Sequence, residues 1–179
     1  MAIDEECFAR FLSGDEEGFN ALLEKYRIPL FSFILRMVGN SEADDVFQET
    51  FLRVLRHRRQ FNPSRRFSPW LFAIAANLCR DALRRRRRSL TQPMAESHDP
   101  AGHSNPETDS ASAEIGTAIE RAVSGLSPEQ REVFLLREQA GLSFREIAKA
   151  TGANLNTVLG RMRLAVKKIK TELEPIREK

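Results

Sequence analysis

Residues 142–170 read LSFREIAKATGANLNTVLGRMRLAVKKIK, and this stretch decides the fold of the C-terminal half. Ser143 followed by Glu146 has the spacing of a capping box, which opens a short helix. Gly152 falls where a tight turn needs a permissive backbone, and a longer basic helix follows. Such a pattern is typical of a helix-turn-helix, whose second helix enters the DNA major groove. A plain helical hairpin is the alternative.

The rest of the chain is also helical in pattern, because its apolar residues recur at spacings of three and four and no strand alternation occurs. The stripe formed by Phe19, Leu22 and Tyr26 is one example. Side chains suited to helix capping indicate further helix starts at Ser41 with Asp44, at Ser68 before Pro69, and at Ser127 with Gln130.

Residues 91–112 differ from the rest, since they lack apolar periodicity and are rich in Pro, Ser, Asp and Glu. A segment of this composition does not bury enough apolar surface to fold. The sequence therefore predicts an all-α protein of two small helical domains. The domains are an N-terminal helical bundle, residues 1–90, and a helix-turn-helix domain, residues 113–179. A flexible acidic linker, residues 91–112, joins them.

The charge is divided into blocks that the formal total of +3 conceals. Residues 50–90 carry twelve Lys and Arg against one acidic residue, whereas residues 1–49 carry four against eleven. A basic block of this density suits phosphates, which supply most non-specific nucleic-acid affinity. A solvated basic face is an equally good interpretation of the charge alone.

Several classes of protein are disfavoured. The apolar run Trp70–Ala76 is much shorter than the ~20 residues of a membrane-spanning helix, and the acidic start lacks the basic segment of a secretory signal. Cys7 and Cys79 lie in different segments, so we expect no disulfide framework. We therefore expect a cytoplasmic location. No catalytic constellation, metal-ligand set or cofactor motif accompanies the three histidines, His57, His98 and His103. We expect neither an enzyme nor a metal or cofactor site.

Three segments together resemble the extracytoplasmic-function (group four) branch of the bacterial sigma-70 family of transcription-initiation factors. They are ADDVFQETF at 43–51, FNPSRRFSPWLFAIAANLCRDALRRRRR at 61–88, and the helix-turn-helix. QETF followed by the pattern WL-x-x-IA-x-N is specific to that family. The resemblance covers about residues 15–90 and 115–172. It implies a factor that binds core RNA polymerase and directs promoter-specific initiation.

The resemblance also implies roles for individual residues. The polymerase clamp coiled coil would receive the acidic helix through Asp44, Asp45, Gln48 and Glu49, with the flap of the large subunits as a further contact. Recognition and melting of the minus-ten element, as duplex and as single strand, would fall to Phe61, Asn62, Ser64, Arg65, Arg66, Phe67, Asn77, Arg80 and Arg84. The minus-thirty-five element would be contacted by Asn156, Thr157, Arg161, Arg163 and Lys167.

Two details of these segments are open to more than one interpretation. Trp70, beside Leu71 and Ile74, is expected to pack in the core rather than to wedge between bases. Arg84–Arg88 either reach the DNA backbone or form a solvated tail.

The last helix departs from the family pattern of basic or small polar residues on its DNA-facing side. This chain has Leu159, Gly160, Leu164 and Val166 there. We expect a minus-thirty-five contact that is weaker or differently read. The leucines could meet thymine methyl groups, or an exposed Leu159/Leu164 pair could bind an anti-sigma protein, the inhibitor that holds many relatives inactive.

Two other functions stay open at this stage. A conventional regulator would bind duplex DNA through the helix-turn-helix and use its N-terminal half for sensing or dimerisation. A helical adaptor would bind polymerase without reading DNA.

Overall fold

The computed structural model describes residues 3–62, 64–90 and 110–177, and all the regular structure within them is helical, which confirms the predicted fold class. The N-terminal half contains α1 (Ile3–Leu12), α2 (Glu16–Val38), α3 (Asn40–His57), a short 3-10 turn (Arg58–Gln60) and α4 (Phe67–Leu90). The C-terminal half contains α5 (Ser110–Ser124), α6 (Pro128–Glu138), α7 (Phe144–Thr151) and α8 (Leu155–Arg177). Residues 91–109 of the predicted linker lie outside the described residues, and its last three, 110–112, belong to α5.

Two of the four predicted helix starts are confirmed in detail. Ser127 caps α6 and Ser143 caps α7, each as a reciprocal capping box with the residue three positions on. Gly152 ends α7 in the left-handed conformation, with φ of 69°, as the turn of the helix-turn-helix requires.

The other two predicted N-caps are wrong by two positions each. Helix α3 begins at Asn40 with Gly39 as its N-cap, and no side-chain cap bond forms there, so Ser41 lies inside the helix. Helix α4 begins at Phe67, before Ser68. Ser68 Oγ instead donates to the carbonyl oxygen of Ala140, at 3.4 Å.

The N-terminal half is a bundle in which α2, α3 and α4 pack together and α1 lies against α2 and α4. The backbones of α1 and α2 approach so closely that a Cβ atom at Gly18 would lie 2.2 Å from the carbonyl oxygen of Cys7. Helix α1 also inserts the fully buried ring of Phe8 into an aromatic cluster, with ring centroids 4.8, 5.1 and 5.6 Å from those of Phe61, Phe67 and Trp70. The packing role expected for Trp70 is confirmed.

Cys79 of α4 is buried inside this bundle, and it is a free thiol, as is the half-buried Cys7. Burial raises the pKa of the Cys79 thiol, because the protein interior disfavours the thiolate. Among the described helices, none combines the length and the apolar composition that crossing a membrane requires.

The C-terminal half folds around α8, which packs on α5, α6 and α7. Ile147 of α7 and Val158 of α8 are fully buried, and Ala148 and Met162 pack beside them, as the helix-turn-helix pattern predicts. The two halves also pack on each other, mainly through α4 against α7 and through α2 against α6. Helix α4, which the resemblance implies reads the minus-ten element, therefore lies at the junction between the halves.

Replacing Phe8 with alanine tests the role of α1. Phe8→Ala should lower the free energy of unfolding by about 3–5 kcal/mol, because a fully buried aromatic ring leaves a cavity. Leu12→Ala, at an exposed position on the same helix, should change it by less than about 0.5 kcal/mol. Urea unfolding followed by circular dichroism measures both variants, and equal losses would contradict the anchoring role of Phe8.

Candidate nucleic-acid interface

The acidic face of α3 points away from the core. Asp44, Asp45 and Gln48 are exposed, while Glu49 is half-buried and binds two arginines of its own helix. Its Oε1 atom lies 3.1 Å from Arg53 Nε and 3.2 Å from Arg56 Nη1. Exposed ion pairs of this kind contribute little stability. The face therefore offers two unshielded carboxylates and one carboxylate shared with its neighbours.

One apolar residue belongs to the same face and is absent from the set of residues predicted from the sequence. Leu52 is 45% exposed and follows Gln48 by four positions and Glu49 by three, which places all three side by side on the helix. An exposed leucine with polar side chains beside it is typical of a protein interface, whose core is apolar and whose rim is polar.

The loop before α4 divides into a buried and an exposed part. Phe61 and Phe67 are 5% and 1% exposed, because their rings pack in the cluster with Phe8. Both rings are packed beneath the loop and expose no face to a base in this arrangement, and their contact with DNA stays a prediction.

The remaining predicted loop residues, Asn62, Ser64, Arg65 and Arg66, are exposed. Asn62 shapes the turn, since its Oδ1 atom accepts a hydrogen bond from the Ser64 backbone N–H at 2.9 Å, and its carbonyl accepts from Arg65 N at 2.9 Å. The loop thus presents a short polar turn followed by two arginines.

The start of α4 is held by a residue that the sequence pattern did not indicate. Glu5 of α1 is 6% exposed, and its Oε1 atom accepts the Phe67 backbone N–H at 2.7 Å. Glu5 thereby accepts a hydrogen bond from a backbone N–H at the start of α4, as an N-cap side chain would. A helix-capping partner that is 62 residues away in sequence has no local signal.

The exposed side of α4 carries Asn77, Arg80 and Arg84, spaced by three and four residues so that they share one side of the helix. Arg84 lies near Asp81, with 3.4 Å between Nη2 and Oδ1. The Arg80 guanidinium donates to the Asn77 side chain, so these two predicted DNA-contacting residues also bind each other.

Arg80 is at the same time the centre of the junction between the halves. It forms an ion pair with Glu132 of α6, and its Nη2 atom donates to the carbonyl of Ala150 in α7 at 3.3 Å. The Glu132 side chain is 4% exposed. Burial raises the pKa of the Glu132 carboxyl, and the nearby positive charges of Arg80 and Arg161 only partly offset that shift.

Two further ion pairs cross the junction. Arg66 Nη1 of the loop lies 3.4 Å from Glu146 Oε1, and Arg36 of α2 pairs with Glu120 of α5. Two of the arginines predicted to contact promoter DNA, Arg66 and Arg80, are therefore paired with carboxylates of the C-terminal half.

Helix α8 begins with a second cap that sequence reasoning missed. Asn154 Oδ1 accepts the Thr157 backbone N–H at 2.8 Å, and the preference of Asn for N-cap positions could have revealed it. Thr157 is half-buried and Asn156 is exposed beside it. Capping fixes the first turn of α8, which is the turn that would face base edges.

Beyond that turn, the predicted residues of α8 separate into two groups. Asn156, Arg163 and Lys167 are exposed and share a face with Gly160, opposite the buried Val158 and Ala165. Arg161, in contrast, is half-buried and its charge acts on Glu132, so it lies toward the junction rather than on that face.

The two leucines of α8 do not form the single patch suggested by the sequence. Leu159 and Leu164 are 41% and 55% exposed. They are five positions apart, which places them about 140° from each other around the helix axis. They flank the face of Asn156, Arg163 and Lys167 on opposite sides.

Within residues 3–62, 64–90 and 110–177 no cluster of three or more potential metal ligands occurs. His57 is exposed at the end of α3, and His98 and His103 lie outside the described residues.

Family models match both halves of the chain. The model "Sigma-70 region 2" covers residues 22–89, and "Sigma-70, region 4" covers residues 116–169. The chain is 35% identical over 144 residues to "RNA polymerase sigma factor CarQ" of Myxococcus xanthus, which spans 80% of this chain and 82% of that protein. It is 30% identical over 182 residues to "ECF RNA polymerase sigma-E factor" of Escherichia coli strain K12, spanning 97% of this chain and 95% of that protein.

Two solved structures with similar folds are protein complexes. CnrH in complex with the cytosolic domain of CnrY superimposes with a TM-score of 0.70 at 26% identity, covering 97% of this chain and 98% of that one. The sigma factor RpoE in complex with the anti-sigma factor NepR, from Bartonella quintana, gives a TM-score of 0.71 at 22% identity, covering 87% and 96%. The second likeness concerns the fold alone.

Proposed function

The chain belongs to the extracytoplasmic-function branch of the sigma-70 family, and we propose how its surfaces divide the work of promoter-directed transcription initiation. As a sigma factor it directs transcription from specific promoters. Sigma factors are initiation factors without enzymatic activity of their own. The regulator alternative, with a sensory or dimerising N-terminal half, is not supported, because that half matches region 2 over residues 22–89.

We assign polymerase binding to the acidic face of α3, made of Asp44, Asp45, Gln48 and Glu49 together with Leu52, which lies beside Gln48 and Glu49. The observation that supports this is an exposed leucine beside Gln48 and Glu49, on a helix that also exposes the carboxylates of Asp44 and Asp45. A basic coiled coil fits such a surface, since the carboxylates would steer encounter and the leucine would be desolvated at the centre. The site of action is then the cytoplasm, together with the polymerase.

The N-terminal half, residues 1–90, is proposed to read the minus-ten element through the polar turn of the loop and the exposed side of α4. Asn62, Ser64 and Arg65 can surround an extruded base, and Arg84 extends the cationic surface along the strand. Arginine suits this task because its planar fork binds phosphate in a bidentate manner. Phe61 and Phe67 act from below, by fixing the loop.

The C-terminal half, residues 113–179 with the start of α5, is proposed to bind the minus-thirty-five element as duplex DNA. Helix α8 would lie in the major groove with Asn156 toward base edges and with Arg163 and Lys167 on phosphates. Leu159 and Leu164, one on each side of that face, would touch thymine methyl groups.

Promoter binding requires the junction between the halves to open. Arg66 and Arg80 bind Glu146 and Glu132 in the described arrangement, so their guanidinium groups are occupied by carboxylates. An anti-sigma protein is the partner we propose for keeping the factor inactive, since the similar protein CnrH is likewise held in a complex, with the cytosolic domain of CnrY.

Transcription with purified core enzyme tests the function itself. The chain and core RNA polymerase, incubated with a pool of randomised promoters, should yield a discrete set of transcripts that share a minus-ten and a minus-thirty-five sequence. Core enzyme alone provides the baseline. Transcripts that arise only after a housekeeping sigma factor is added would instead support a duplex-binding regulator, and transcripts without sequence preference would support an adaptor.

Charge reversal on α3 tests the polymerase-binding face. Asp45→Lys combined with Glu49→Lys should weaken co-elution with core enzyme at least about ten-fold, because like charges then face each other across the interface. The fold should persist, since the lost pairs with Arg53 and Arg56 are worth only about 0.3–0.5 kcal/mol each. Glu6→Lys, at an exposed position on α1, is the matched control. Unchanged co-elution of the double variant would contradict the assignment.

Neutralising Glu132 tests whether the junction competes with DNA. Glu132→Gln keeps the shape but removes the charge that holds Arg80, so the free chain should bind labelled single-stranded minus-ten DNA about five- to ten-fold more tightly, as its open form becomes more populated. Glu120→Gln breaks another ion pair of the junction, that of Arg36, and should have no comparable effect. Fluorescence anisotropy without polymerase measures both variants. An equal gain in both would show loosening of the junction rather than competition for Arg80.

A further inference from the structure

Gly160 is a glycine in the middle of α8 that the rest of the chain does not require. Its backbone is helical, and its φ lies outside the positive range that favours glycine. Among the described residues, no atom beyond its own helix backbone and its neighbours lies within 4 Å of where a Cβ would be. Gly18, by comparison, is required, because a Cβ there would lie 2.2 Å from the Cys7 carbonyl oxygen.

A glycine at this place weakens the helix. Glycine in a helix interior lowers the stability of the helix by about 1 kcal/mol relative to alanine. This corresponds to roughly a five-fold lower folding equilibrium constant. Neither packing within the described chain nor backbone geometry accounts for this loss.

The position of Gly160 gives the missing reason. It lies on the face of α8 shared by Asn156, Arg163 and Lys167, directly opposite the buried Val158. On this face the glycine stands between a polar residue of the first turn and two long cations. A helix that carries hydrogen instead of a side chain at the centre of its contact face can bring its backbone closer to a partner.

We propose that Gly160 is the point of closest approach of α8 to duplex DNA, and so a specificity-determining residue for the minus-thirty-five element. The gap left by the missing side chain admits a base-pair edge, and Leu159 and Leu164 contact methyl groups on either side of it. Arg163 and Lys167 reach past the gap to the phosphates. This inference rests on the proposed duplex-binding role of α8 and adds the steric feature that defines its depth in the groove.

Substitutions of increasing size test the proposal. Gly160→Ala and Gly160→Leu both introduce good helix formers at an exposed position, so both should fold and should raise the urea midpoint of the chain. Both should nevertheless reduce transcription by the holoenzyme, because the added side chain would keep the helix backbone away from the DNA. We expect a loss of about ten-fold for Gly160→Ala and a larger loss for Gly160→Leu, since a modest steric penalty is enough for each ten-fold loss. The template is a promoter selected from the randomised pool by the wild-type chain, together with a derivative whose minus-thirty-five segment is scrambled. The loss should vanish on the scrambled template.

Gly116→Ala is the matched control. Gly116 is also helical and exposed and has the same open surroundings, but it belongs to α5. Its replacement should raise the urea midpoint and leave transcription unchanged. Full activity of Gly160→Ala on the selected promoter, or an equal loss on both templates, would overturn the inference about Gly160. If the wild-type chain itself directs no transcripts with core enzyme, the proposed function fails rather than this inference alone.

Discussion

The ion pair between Arg80 of α4 and Glu132 of α6 is the most deeply buried of the ion pairs that join the two halves in the described part of the chain. It lies largely out of water, with Glu132 only 3% exposed. Desolvation of a carboxylate carries a penalty that one partner offsets incompletely, as the raised pKa of Glu132 indicates. A buried pair of this kind orients two surfaces sharply and adds little net free energy. The contact is therefore specific and yet easily exchanged.

The chemistry of arginine explains how one surface can serve two states. A guanidinium group binds a carboxylate and a phosphate with the same planar fork. Arg66 and Arg80 have carboxylates as partners in the described arrangement, and they would have phosphates as partners on a promoter. Exchange needs no rebuilding of α4, whose start is fixed separately by Glu5 and by the aromatic cluster around Phe8. The acidic face of α3 takes no part in this exchange and stays exposed.

The features that could be predicted from the sequence are those whose partners are near in sequence. The capping boxes of Ser127 and Ser143 join residues three positions apart, so they could be predicted from the amino-acid sequence alone. The acidic face of α3 followed in the same way from helical spacing. The cap of α4, provided by Glu5, the burial of Phe61 and the pairing of Arg80 with Glu132 could not be predicted, because each depends on elements that only the tertiary fold brings together. The site was thus predicted as a set of exposed side chains, whereas the structure shows some as supports and others as paired.

The burial of Cys79 gives the molecule an internal reporter. A thiol reacts with alkylating reagents as the thiolate, and a thiol whose pKa is raised inside a packed bundle offers almost none. Modification of Cys79 then has to wait for the bundle of α2, α3 and α4 to open. The rate at which this sulfur is labelled consequently measures how often the N-terminal bundle opens, without any engineered probe.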